Sequence, residues 1–141
     1  MKKYTYIGLK VVFSLIILLP VVSQIGLLLG YNIEPKPEYY STNEAFTFIT
    51  VLMDAEYITI INSLVFIISL ILLWTRRAGL AAVLCFPITL NIVAFHAFVD
   101  GGPFTGGALL GNIFFAINLY LFWYHWAQYR QLLSKDITNP V

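Results

Sequence analysis

Four long apolar runs separated by short polar breaks dominate the chain. Residues 7–29, 55–74, 78–98 and 106–126 are rich in Ile, Leu, Val, Phe and Ala, with few polar interruptions. A membrane-crossing helix takes roughly 20 mostly apolar residues. Each run reaches that length, and none shows the two-residue alternation of a barrel strand. The pattern predicts an all-α integral membrane protein, a four-helix bundle forming a single transmembrane domain over residues 1–141, with a long outer loop between helices 1 and 2. That loop, residues 30–54, begins polar and turn-rich (EPKPEYYSTNE) and turns apolar again in AFTFITVLMDA. Its second half reads either as a short surface helix capped by Thr42 or Asn43 or as an outward extension of the second span. The short connections at 74–78 and 98–106 make spans two, three and four successive antiparallel neighbours, and span one is expected to close the bundle.

Composition narrows the class further. The 141 residues are 60% hydrophobic and 11% charged, whereas a soluble domain is roughly 45–50% apolar and about 25% charged. A water-soluble fold of this size cannot hide so much apolar surface. A soluble enzyme, a disordered regulator and a basic nucleic-acid binder are therefore excluded, and no nucleic-acid partner is expected. Cys85 is the lone cysteine, so no internal disulfide or CxxC redox pair is available. The first run has the basic start of a signal peptide but is longer than the roughly 7–15 residues of an h-region, so an uncleaved anchor is expected.

Charge placement predicts orientation. Lys2, Lys3, Lys10, Arg76, Arg77, Arg130 and Lys135 fall on one side of a four-span layout, and Lys36 alone falls on the other with Glu34, Glu38, Glu44, Asp54, Glu56 and Asp100. The positive-inside rule then puts both termini in the cytoplasm, with the chain multi-pass in a bacterial-type cytoplasmic (inner) membrane. Trp74, Trp123 and Trp126 land at the same boundary, where an indole keeps its ring in the interface and its N–H wet.

Polar side chains inside hydrocarbon are costly and mark structure or function. Gln24 lies in span one, Asn62 in span two, Asn91 and His96 in span three, Asn112 and Asn118 in span four. At about 1.5 Å per residue, Gln24, Asn91 and Asn112 share a slab towards the outer side, with Asn62 and Asn118 nearer the midplane. Asp100 follows His96 by four positions, so the two can touch if the helix persists. Two readings stand: amide hydrogen bonds between neighbouring helices, or a cofactor or ligand pocket formed by His96, Asn91, Asp100, Gln24, Asn62 and Asn112. The two histidines, His96 and His125, lie at opposite ends, so no metal site is expected. Pro20 and Pro87 each remove a helix hydrogen bond and are expected to kink their helices. Gly107 and Gly111 form a small-xxx-small step that permits close approach, within the bundle or to a second copy. No phosphate loop, nucleophile elbow or intramembrane carboxylate pair is present, so hydrolytic and phosphoryl chemistry is unsupported.

The block NSLVFIISLILLWTRRAGLAAVLCFPITLNIVAFHAFVD, followed by NLYLFWYHWAQYRQLL, resembles the DoxX-like family of small four-helix membrane proteins. The resemblance spans about two-thirds of the chain and rests most on NIVAFHAFVD, with Asn91, His96 and Asp100, and on the tail carrying Asn118, Tyr120 and Arg130. It implies the fold more firmly than a reaction. The family is named for a subunit of a thiosulfate:quinone oxidoreductase, and most members have no established activity. Asn62 stands about where such proteins commonly carry an acidic residue, which weakens a proton-transfer mechanism. The leading expectation is a non-catalytic or accessory subunit of a membrane redox or other assembly, with a membrane protein or a second copy as partner. The alternatives are a quinone-binding oxidoreductase subunit with an outer-half pocket around His96, or a small-molecule or lipid carrier.

Overall fold

The structure, a computed structural model, describes residues 2–31 and 34–133. Lys135, counted above among the cytoplasmic charges, lies outside the described residues. Among these residues the chain is all-helical, with no strand: α1 (Lys2–Leu28), α2 (Asn43–Asp54), α3 (Tyr57–Leu73), α4 (Ala78–Phe98), α5 (Ala108–Tyr124) and α6 (Trp126–Leu133).

α1 begins before its apolar run, because KKYTY is compatible with helix although it is too polar for hydrocarbon. Residues 43–54 are a helix of their own, bent by 82° from α3. Thr42 caps α2, its Oγ1 accepting from the Ala45 N–H at 3.0 Å. The break lies at Ala55 and Glu56. Glu56 adopts φ 29°, a conformation rare for a side chain of this kind. α1 and α4 run as continuous helices through Pro20 and Pro87.

α4 packs between α3 and α5, while α1 packs against both α3 and α5. Phe13 and Ile17 from α1, Phe66 and Leu73 from α3, Ala82 and Cys85 from α4, and Phe114 and Leu121 from α5 are buried at the centre. Phe114 binds the middle together, 4.8 Å from Phe13 and 6.0 Å from Phe66 between ring centroids. The α4–α5 register is set by two glycines. A Cβ on Gly79 would sit 3.1 Å from the His125 Cβ, and one on Gly111 would sit 2.7 Å from Ile92 Cγ2.

The exterior is apolar. Leu15, Leu19 and Val22 on α1, and Ile61, Leu64 and Ile71 on α3, are exposed. Such surface is untenable in water and suits lipid. Among the described residues α1 and α4 are long and apolar enough to cross a membrane, and the bent pair α2–α3 makes a third if taken as one span. α5 is a shorter apolar helix of 17 residues.

At the end where α1 begins and α5 finishes, Tyr6 stacks on Tyr124 at 4.4 Å and its hydroxyl meets His125 Nε2 at 3.0 Å. Lys10 Nζ lies 4.6 Å from the Trp74 ring, whose Nε1 donates to Ser14 Oγ at 2.9 Å. This polar, aromatic collar has the make-up of a membrane interface.

Candidate functional site

The last turn of α4 carries His96, and the chain then turns back on itself. The N–H groups of Val99 and Asp100 both reach the Phe95 carbonyl, at 2.8 and 3.0 Å, and Gly102 N–H reaches the His96 carbonyl at 2.9 Å. Gly101 and Gly102 make this reversal possible, with φ of 81° and 127° that L side chains rarely adopt.

The turn folds the Asp100 carboxylate over His96. Asp100 is 1% exposed, and both its oxygens are engaged. Oδ2 lies 2.8 Å from His96 Nδ1, and Oδ1 accepts from the Ser41 N–H at 2.7 Å. Beside it, Thr42 Oγ1 donates to the Val99 carbonyl at 2.7 Å. Asp100 thereby orients the imidazole and also anchors the chain just before α2. With a carboxylate at Nδ1, the proton shared in this bond is assigned to Nδ1. Nε2 has no hydrogen-bond partner among the described residues.

The Gly107/Gly111 step receives this ring. A Cβ on Gly107 would lie 3.3 Å from His96 Cε1, and one on Gly111 would lie 3.5 Å from Cδ2. The close approach expected there is thus made by the His96 and Ile92 side chains.

Between α1, α3, α4 and α5 lies a cavity of about 360 Å³, within the range of small-molecule sites. Gln24, Thr59, Asn62, Ser63 and His96 supply its polar groups, and Phe66 and Phe114 its apolar wall. Pro20 also lines it and cannot donate to the carbonyl of Ile16, another wall residue. A second concavity of about 560 Å³ lies between α2, α3 and α4, and it shares Asn62, Ile88, Ile92 and His96 with the first. A third, of about 490 Å³, is lined by Glu34, Asp54 and Glu56 and shares Gln24 and Thr59 with the first.

The six residues singled out from sequence therefore separate. Gln24, Asn62 and His96 line one cavity, with Asp100 directly behind His96. Asn91 is exposed and lines the concavity beneath α2. Asn112 is absent from all three sets of walls; its Nδ2 donates to the Pro103 carbonyl at 2.6 Å, tying α5 to the preceding turn. Asn118 is fully buried, and neither its amide nitrogen nor its oxygen has a partner among the described residues. Thr59 and Ser63 were not singled out, although positions 59, 62, 63 and 66 have the spacing of one helix face. Ser41 takes part through its backbone N–H, for which the side-chain sequence carries no signal.

No Asp, Glu, Lys or Arg side chain lines this cavity among the described residues. Outside the spans, burial and, secondarily, the Asp100 charge hold the Tyr40 phenol above its ordinary pKa. Among the described residues no three His, Cys, Asp or Glu side chains converge as a metal site would require. The arrangement can seat an uncharged molecule, with an oriented imidazole and the Asn62 and Gln24 amides in its walls. Comparison of the chain with models of known families, with curated proteins and with solved structures finds no match.

Proposed function

We propose that the chain is a DoxX-like, multi-pass protein of a bacterial-type inner membrane. In this reading α1, α3, α4 and α5 form a four-helix bundle, both termini are cytoplasmic, and residues 30–54 form the outer loop. It serves as a non-catalytic, accessory subunit of a membrane redox assembly and holds an uncharged small molecule of the quinone class beside His96. The observation that carries this reading is the cavity itself. It is apolar-walled, with the Asp100-oriented imidazole of His96 in its lining, on a chain whose exterior is of membrane type. The absence of an acidic residue at Asn62 favours holding over proton-coupled turnover.

Purification in native lipid nanodiscs, followed by mass spectrometry of bound small molecules and copurifying proteins, tests it. Stoichiometric quinone together with a stable protein partner is the expected result. Bound lipid of another class, or no bound small molecule, rejects the ligand assignment.

A further inference from the structure

The concavity beneath α2 has walls unlike those of the His96 cavity. Phe48, Ile49 and Leu52 of α2 face Ile58, Pro87 and Phe95 across it. Phe48 and Phe95 stack at 5.6 Å, so α2 roofs this space through apolar contact. Asn62 and His96, with Ile88 and Ile92, belong to the walls of both spaces, so the two adjoin at these residues, and each space has both polar groups in its own wall. The opposite neighbour, reached past Gln24 and Thr59, is flanked by Glu34, Asp54 and Glu56.

These spaces differ in what they accept. Neither of the two spaces that His96 lines has Asp, Glu, Lys or Arg in its walls. An anionic head would meet the Asp100 carboxylate behind His96 and the acidic mouth beyond Gln24. A cationic head would find the Asp100 oxygens already occupied by His96 and the Ser41 N–H. The acidic mouth could partner a cation only on the Gln24 side, away from α2; at His96 and beneath α2 neither charge finds a partner, and burying one so is costly.

We infer that the concavity beneath α2 is a chain-binding lobe, so that the ligand is an uncharged single-chain amphiphile with its head at His96 and Asn62 and its apolar chain running under α2 between Ile49 and Ile58. This rests on the small-molecule site proposed above and adds the ligand's shape, its charge class and the route of its chain. The chain leaves sideways towards lipid, and the acidic mouth is left to water.

The test uses two probes with one head: a dimethoxy-methyl-benzoquinone without a chain, and the same ring bearing a decyl chain. Binding to the full-length protein in nanodiscs is measured for the parent and for Ile49→Trp and Ile58→Trp, which fill the lobe from opposite walls. The decyl probe should bind the parent at least about ten-fold more tightly than the chainless one, because the chain gains apolar burial. Each Trp variant should erase that advantage while leaving the chainless probe's affinity within about two-fold. A decyl probe with a terminal diazirine maps the chain without any substitution; labelling within residues 46–58 is expected. Binding of the chainless probe with no gain from the chain, or labelling confined to the outer faces of α1 and α5, overturns the chain lobe alone. Failure of both probes to bind the parent overturns the chain lobe and the site together.

Discussion

Asp100 and Asn118 are both buried polar side chains, yet they do opposite things to stability. Each Asp100 oxygen has a partner, the His96 ring at 2.8 Å or the Ser41 N–H at 2.7 Å. Asp100→Asn keeps the shape but replaces two bonds to a carboxylate, and bonds to charged groups contribute about 1.5–3 kcal/mol. A fall in the thermal unfolding midpoint in detergent is expected, together with loosened exchange protection at the Ser41 amide. Asn118 has no partner for either amide atom among the described residues. Asn118→Leu removes an unsatisfied buried amide at nearly constant volume, and it should raise stability by about 1–3 kcal/mol in the same assay. From sequence, Asn62 and Asn118 are the same kind of signal, an amide inside an apolar run. Only packing separates them: Asn62 opens onto two concavities, while Asn118 is sealed on α5.

At the scale of elements, α2 depends on its cap and α5 on its glycines. Thr42→Ala removes the Oγ1 bonds to Ala45 N–H and to the Val99 carbonyl. It should cost α2 about 1 kcal/mol, read as faster hydrogen exchange across residues 43–54. Gly111→Ala drives a methyl to within 2.7 Å of Ile92 Cγ2. Overpacking of this kind costs about 1–3 kcal/mol, and Gly106→Ala, which has nothing within 4 Å, is the silent control in a thermal melt. The limits of α4 were legible because charged residues bracket it, Arg76 and Arg77 before Ala78 and Asp100 after Phe98. The 82° bend between α2 and α3 was not legible, since neither proline nor glycine occurs at Ala55–Glu56. The prolines drew attention instead, and the helices run through them.

For the whole molecule, composition and the apolar runs were enough to define an all-helical chain with membrane-type helices, and the short connections foretold which helices touch. The cavity was only partly legible. Its polar groups come from α1, α3 and α4, and which of them meet depends on helix rotation, which hydropathy does not encode. The orientation proposed from the lysines and arginines is open to a direct measurement. With Cys85→Ser as background, Ser41→Cys should react with an impermeant maleimide in intact cells and Thr75→Cys should react only after permeabilisation. The reverse pattern would invert the protein in the membrane.

One carboxylate, then, is shared between two neighbours: the approach to α2 and the ring at the cavity wall. Sharing makes their energetics reciprocal. If a molecule at Nε2 strengthens the hold of Asp100 on Ser41, any agent that pulls α2 away must weaken that molecule's binding by the same factor. On that condition, and with the chain placed in the membrane as proposed, α2 would report in both directions, carrying outward whether the site behind Asp100 is filled and carrying inward whether something has taken hold of α2.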